Sequence, residues 1–213
     1  MMRKLIGRVV ALRRPDPATA GRRSYLLLVA LLVTSCVAPD TRHRIVVSIP
    51  EQRLALLDKG ALIATFPVST SKFTIGDAPG SRGTPLGELE IAKKIGGGAT
   101  SGMVFKDRRP TGEVLAPDAP GRDPIVSRIL WLRGLEGQNA NAYGRYIYIH
   151  GTAEERNIGK RASYGCIRMR SRDVIQLYDI VGYGAHVTIL DAPLSAAVPM
   201  APGPGGTTAV SSQ

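Results

Sequence analysis

The sequence predicts a mostly β domain with one main helix. Only 5% of the 213 residues are aromatic, whereas 24 are glycine and 15 are proline. This many turn-forming residues is typical of a loop-rich β protein and argues against a helical bundle. Hydrophobic residues make up 44% of the chain. That content is enough for one domain with its own core and excludes a wholly disordered chain.

Short strands are predicted along most of the chain after residue 44. Segment 45–49 is β-branched and is followed by Pro50. Segments 53–57 and 61–66 flank Asp58-Lys59-Gly60, which indicates a hairpin because Gly60 can adopt a positive φ. The other predicted strands are 87–91, 124–132, 145–150 and 185–190. In the strand 145–150, alternation is expected to place Tyr146, Tyr148 and His150 on one face.

One helix is predicted directly after the last motif of the sequence. Its apolar residues have the spacing of a single helix face: Val174, Leu177, Tyr178 and Val181. Ser171 is expected to cap the start of this helix, and Gly182 to end it. Segment 96–123 has no long periodicity and is expected to form a flap over a functional site. Segment 192–213, rich in small residues and proline, is expected to be a disordered tail.

The first 35 residues are typical of an export signal. The uncharged apolar run 25–33 follows Arg22-Arg23 and is only nine residues long, which is too short to span a bilayer. The run ends in Val33-Thr34-Ser35-Cys36, which resembles a lipobox whose cysteine becomes lipidated. An ordinary signal peptide and a twin-arginine signal are the alternatives. Residues 36–43 then form a short tether, and 44–191 the folded domain.

The leader also explains much of the net charge of +11. It holds seven basic residues and one acidic residue, and the remainder of the chain is only mildly basic. No dense basic stripe interleaved with aromatic residues follows, so binding to nucleic acid is not expected. Val37 stands where an aspartate would favour retention at the inner membrane. By that sorting rule, the predicted location is the periplasm, with a lipid anchor in the outer membrane.

Cys166 and His150 are the candidate catalytic residues. Once Cys36 is assigned to lipid, Cys166 is the only other cysteine, and an unpaired thiol in an exported protein needs a reason. A nearby imidazole could accept its proton and so produce a nucleophile. Backbone N–H groups of residues 164–166 could then form an oxyanion hole. A lone cysteine is also often only a small buried hydrophobe, so the pair alone leaves both interpretations open.

Several stretches around this pair carry a resemblance to one family. They are FPVSTS at 66–71, TPLG at 84–87, HGT at 150–152, IGK at 158–160, SYGCIRM at 163–169 and DV at 173–174. Together they resemble the L,D-transpeptidase catalytic domain, also called YkuD, over about residues 44–190. The resemblance implies a β-sandwich or distorted barrel. It also implies a cysteine acyltransferase that acts on peptidoglycan stem peptides and uses neither a metal nor a cofactor.

The resemblance also implies individual roles. Cys166 matches the nucleophile, His150 the base, and Gly151 the residue whose carbonyl orients the imidazole. Ser163, Tyr164 and Gly165 match the loop around the nucleophile. Many members have a histidine where this chain has Tyr164, so no role for a second imidazole is supported there. Arg168 matches an arginine that could either grip a substrate carboxylate or pin the loop to backbone carbonyls.

The expected reaction begins with attack of Cys166 on the tetrapeptide stem and release of D-alanine. The acyl group then passes to an amine, on a second stem (a 3→3 cross-link) or on a lipoprotein. Hydrolysis of the same thioester, as in an L,D-carboxypeptidase or amidase, is the closest alternative. A non-catalytic wall-binding lipoprotein is the second. A papain-type protease is disfavoured because Cys166 follows His150 in the chain.

Overall fold

The computed structural model describes residues 38–199. The leader, Cys36 and the last fourteen residues lie outside this range, and so do the predictions made for them. The strands are β1 (His43–Ser48), β2 (Arg53–Asp58), β3 (Ala61–Pro67), β4 (Gly87–Ile95), β5 (Met103–Lys106), β6 (Arg109–Val114), β7 (Ile125–Gly134), β8 (Tyr148–Thr152), β9 (Ile167–Met169) and β10 (His186–Leu190). The α-helix is α1 (Ser171–Ile180). The predicted class, mostly β with one main helix after Cys166, is confirmed.

The strands form one mixed sheet. Its order is β3-β2-β1-β10-β4-β7-β5-β6, while β8 pairs with both β7 and β9. The β1–β10 and β8–β9 pairs are parallel, and the other pairs are antiparallel. The predicted hairpin joins β2 and β3, with Lys59 and Gly60 at φ values of 49° and 86°. Two successive positive φ values are the geometry that twists a two-residue hairpin correctly.

Helix α1 packs its apolar face into the main core. Val174, Leu177 and Val181 are buried there with residues from β1, β2, β4, β7, β8, β9 and β10. The helix begins at Ser171 with Arg170 as N-cap, one residue earlier than predicted. Both helix ends have polar partners: the Glu155 carboxylate accepts a hydrogen bond from the Ser171 N–H, and Lys94 donates to the carbonyls of Tyr178 and Val181. The negative charge at the N-terminus and the positive charge at the C-terminus complement the helix dipole, and both contacts fix the helix on the sheet.

The segment predicted as an irregular flap contains a hairpin. β5 and β6 pair with each other, and β5 also pairs with β7. Asp107 and Arg108 form the tip, with φ values of 49° and 65°. Every residue of β6 is exposed, so this strand has no burial pattern from which it could have been predicted. Segment 96–123 is therefore partly an ordered arm attached to the sheet.

Two further differences from the predictions concern strand and domain ends. β8 begins at Tyr148, because Tyr146 has a φ of 60° and cannot continue the extended alternation. Tyr146 is exposed whereas Tyr148 and His150 are buried, so the predicted shared face is wrong for Tyr146.

In residues 192–199, the described part of the predicted tail, residues 194–196 form a 3₁₀ helix and Val198 packs on β1 and β2. No helix among residues 38–199 has the length and apolar character that crossing a bilayer requires.

Candidate active site

The β8–β9 pairing brings the two candidate catalytic residues together. In this parallel pair Ile149 is opposite Ile167, and His150 is opposite Arg168. Cys166 immediately precedes β9, so the same register places it beside Tyr148. Tyr148 is two residues before His150 on β8. Residues two apart along a strand share a face. The thiol and the imidazole therefore lie on one face of adjacent strands, although fifteen residues lie between them in the chain.

The buried imidazole of His150 has a defined orientation. Its Nδ1 lies 2.8 Å from the carbonyl oxygen of Gly151. Because a carbonyl oxygen only accepts, Nδ1 must carry the hydrogen in this contact. In the neutral ring, Nε2 is then the atom with the free lone pair. The local backbone thus holds His150 in the tautomer that a general base requires.

Gly151 has no room for a side chain. A Cβ there would lie 2.5 Å from the Val126 carbonyl oxygen and 3.2 Å from the Cβ of Ser127. This crowding arises where the β7–β8 register shifts between Val126 and Ile129, with Ser127 at a φ of 67°. A glycine at 151 therefore lets the irregular part of β7 approach the carbonyl that orients His150.

Burial favours the neutral forms of the His150 imidazole and the Cys166 thiol. It lowers the pKa of His150 to about 4, and nearby Arg168 acts in the same direction. Burial also raises the pKa of the Cys166 thiol, although the positive charges of Arg168 and Arg145 partly oppose this. At neutral pH the free protein therefore holds a thiol beside a neutral imidazole. This state suits proton transfer during attack and differs from a preformed thiolate–imidazolium pair.

The pKa of His150 predicts how stability depends on pH. Folding lowers this pKa from 6.5 to about 4, so the unfolded chain binds more protons than the native protein between these values. Neutral His150 contributes to the free energy of unfolding fully above pH 6.5, and this contribution is lost as the pH falls toward 4. The loss between pH 7 and pH 5 is about 2 kcal/mol. Denaturant titrations across this range should show the loss in the wild type. The His150→Gln variant should lack this component, and an equal loss in that variant would contradict the assignment.

Hydrogen bonds fix the loop that carries Cys166. The Ser163 hydroxyl donates to the Cys166 carbonyl at 2.6 Å and accepts from the Gly165 N–H at 3.2 Å. The Thr84 hydroxyl donates to the Gly165 carbonyl at 3.0 Å. Gly165 has a φ of 123°, and a Cβ there would lie 3.0 Å from the Gly83 carbonyl oxygen. Ser163 and Gly165 therefore shape the loop, and one of the N–H groups suggested for the oxyanion hole already donates within it.

Arg168 has a partner that the sequence analysis missed. Its buried guanidinium lies 2.8 Å from a carboxylate oxygen of Asp123 and 3.8 Å from one of Glu154. The Asp123 carboxylate also accepts from the Thr152 hydroxyl. The Arg168 backbone pairs with Ser69 in both directions. Arg168 is thus held by carboxylates and not by the backbone carbonyls proposed for its side chain. No local pattern distinguishes Asp123 from other loop acids.

An aromatic cluster lies on the other side of Cys166. The Sγ atom is 3.4 Å from the Tyr146 carbonyl oxygen, and the side chain packs in a cluster that includes Tyr148 and Trp131. Trp131 is buried and stacks on Tyr143, so it belongs to the core. Arg108, at the hairpin tip, lies over the rings of Trp131 and Tyr146 at 5.3 and 5.1 Å. The hairpin tip therefore reaches the aromatic cluster against which Cys166 packs.

Two clefts adjoin the segments around Cys166. A polar groove of about 490 Å³ includes Tyr164 and Arg168, which flank Cys166 in sequence. A second cleft of about 370 Å³ is lined by Tyr146, Tyr148 and the hairpin tip.

The other two histidines lie away from these clefts. His43 is paired with Asp40, and His186 lies near Glu88. Residues 38–199 contain no group of three histidine, cysteine or acidic side chains arranged to hold a metal ion.

Comparisons with known proteins identify the family of this chain. The family model described as the L,D-transpeptidase catalytic domain, YkuD, matches residues 42–189. The YkuD protein of Bacillus licheniformis is 32% identical over 161 residues, which cover 75% of this chain and 73% of that protein. YbiS of Escherichia coli K12 is 28% identical over 166 residues, covering 75% of this chain but 49% of YbiS. The chain thus spans about half the length of some of its curated relatives.

A solved structure is also similar. L,D-transpeptidase 3 from Mycobacterium tuberculosis, in complex with a faropenem-derived adduct, aligns with a TM-score of 0.46 and 16% identity. The alignment covers 70% of this chain and 60% of that one.

Proposed function

Because this chain belongs to the family of L,D-transpeptidase catalytic domains, we propose that it is a peptidoglycan L,D-transpeptidase with Cys166 as nucleophile and His150 as base. The observation that carries the proposal is the pairing of β8 with β9. With that pairing, Cys166 and His150 lie on one face. The Gly151 carbonyl accepts the hydrogen bond from His150 Nδ1, which leaves the free lone pair of the imidazole on Nε2. Its substrates are stem peptides of the cell wall.

The first half-reaction forms a thioester. Cys166 Sγ attacks the carbonyl carbon of the third stem residue, diaminopimelate, and His150 Nε2 takes the thiol proton. The tetrahedral intermediate then collapses with cleavage of the bond to the terminal D-alanine. Its amine leaves with the proton from His150, so the imidazole returns to its neutral form. The N–H groups of Tyr164 and Cys166 stabilise the oxyanion in this intermediate, because the Gly165 N–H already donates to the Ser163 hydroxyl.

The second half-reaction passes the acyl group to an amine. The amine attacks the thioester carbonyl and gives a proton to His150, and Cys166 leaves as the thiolate. The thiolate recovers the proton from the imidazole, which restores the neutral pair inferred from the pKa directions of the two groups. The acceptor is the free amine of diaminopimelate on a second stem, which gives a 3→3 cross-link, or a lysine of a lipoprotein.

The test is the product profile from disaccharide tetrapeptides. We expect the purified full chain to release D-alanine and to form cross-linked dimers, separated by chromatography and identified by mass. Tripeptides without dimers would instead support the L,D-carboxypeptidase or amidase. Unchanged substrate, with a protein that is folded by circular dichroism, would support the non-catalytic wall-binding lipoprotein.

The first 36 residues support a proposal about where the protein is located. The run 25–33 and the lipobox-like ending at Cys36 support export, lipidation of Cys36 and anchoring to the outer membrane on the periplasmic side. Metabolic labelling with a fatty acid should mark the wild type and not a Cys36→Ser variant. Labelling of both proteins, or of neither, would contradict lipidation at this residue.

A further inference from the structure

Two cations and two aromatic rings form an exposed cluster beside the nucleophile loop. The Lys72 Nζ lies 5.3 Å from the ring centroid of Phe73 and 4.8 Å from that of Tyr164. The Arg82 guanidinium lies 5.3 and 5.5 Å from the same two rings. The rings themselves are 5.2 Å apart, and about half of each side chain is exposed. We name Lys72, Phe73, Arg82 and Tyr164 the cationic clamp.

The cations of the cationic clamp have no carboxylate partner among residues 38–199, because the two acids that line the adjoining groove, Asp123 and Glu154, lie against Arg168. Among residues 38–199, neither Lys72 nor Arg82 forms an ion pair, and the same is true of Arg161 in the adjoining groove. Arg168, in contrast, is already paired with Asp123. The rings restrain the ends of both long side chains, which reduces the entropy that binding a ligand would cost. Such an arrangement favours an anion at the surface.

The cationic clamp is attached to the loop that carries Cys166. The Lys72 N–H donates to the Ser163 carbonyl at 3.1 Å, and the Ser71 hydroxyl donates to the Arg82 carbonyl at 2.6 Å. Tyr164 is two residues before Cys166, and it lines the polar groove together with Lys72. A substrate group bound here is therefore held at a fixed position relative to the sulfur.

We propose that the cationic clamp binds a free carboxylate of the peptide stem and makes the enzyme prefer carboxylate stems over stems in which that group is a carboxamide. The proposal rests on the function proposed above. A carboxylate forms charge-assisted hydrogen bonds with lysine and arginine, and a neutral carboxamide cannot replace this attraction. Lys72 and Arg82 are thus specificity-determining residues, while Phe73 and Tyr164 position them.

The experiment compares two synthetic tetrapeptide stems, one with free carboxylates on its side branches and one in which these are carboxamides. For the wild type we expect kcat/KM to be about tenfold higher for the carboxylate stem, and added salt to reduce the difference. The Lys72→Met/Arg82→Gln double variant should lose this preference and keep its kcat/KM for the carboxamide stem. The Arg53→Gln variant, which removes an exposed cation on β2, should behave as the wild type. Equal use of both stems by the wild type would overturn the proposal, as would an equal loss for both stems in the double variant.

A binding measurement separates this proposal from the proposed function. The Cys166→Ser variant should bind the carboxylate stem more tightly than the carboxamide stem in calorimetry, and the triple variant Lys72→Met/Arg82→Gln/Cys166→Ser should bind both alike. If the wild type does not turn over any stem while this binding difference persists, the catalytic function is wrong and the cationic clamp stands. If turnover occurs and binding does not distinguish the stems, the cationic clamp is wrong and the function stands.

Discussion

Replacing Cys166 with alanine is expected to abolish formation of the thioester and to reduce kcat by roughly 10⁶-fold, to below detection. The reason is chemical, because the thiol forms the covalent bond to the acyl group and residues 38–199 contain no second cysteine. Intact-mass spectrometry after mixing with tetrapeptide stems should find the acyl adduct on the wild type and none on the Cys166→Ala variant.

The matched control for this variant is its stability. Cys166 is half-buried and contributes to one edge of an apolar cluster, so its truncation should cost about 1 kcal/mol in the free energy of unfolding. The variant should therefore remain folded and keep its affinity for the stem. Turnover by a folded Cys166→Ala protein would contradict the assignment of the nucleophile.

Replacing His150 with glutamine is expected to reduce kcat/KM by about 10²- to 10⁴-fold, the usual contribution of general acid–base catalysis. Glutamine can still donate to the Gly151 carbonyl, but it cannot accept the thiol proton. The wild type should lose activity as the pH falls toward about 4, where the buried imidazole becomes protonated.

The pH profile tests the role of His150 beyond its contribution to structure. The residual activity of the His150→Gln variant should rise with pH as the Cys166 thiol ionises on its own. His186→Gln, which changes an exposed histidine on β10, should leave the wild-type profile unchanged. If the His150→Gln variant kept the acidic limb of the wild type, another group would be the base.

Regular patterns made much of this fold predictable. The hairpin at Lys59 and Gly60 could be predicted because turn chemistry is local, and α1 because its apolar residues repeat at helical spacing. Cys166 and His150 could be identified because their sequence motifs are specific to one family. Their juxtaposition depends on the parallel pairing of β8 with β9, which no local pattern in the sequence predicts.

The remaining features depend on tertiary contacts. β6 is exposed throughout and is ordered only through β5. Tyr146 departs from strand geometry in a segment that looks alternating. Asp123 becomes important only because the fold places it against Arg168. Such residues carry no periodic signal, so local sequence reasoning could not find them.

The raised pKa of the Cys166 thiol affects how readily this residue is oxidised. Peroxides and disulfides react with the ionised form of a cysteine far faster than with the protonated form. Burial raises the pKa of the Cys166 thiol, so we expect the sulfur to become most reactive when a bound substrate allows His150 to remove the proton. In the exported protein proposed above, a thiol in this state would stay reduced between turnovers, although residues 38–199 contain no second cysteine that could repair an oxidised one.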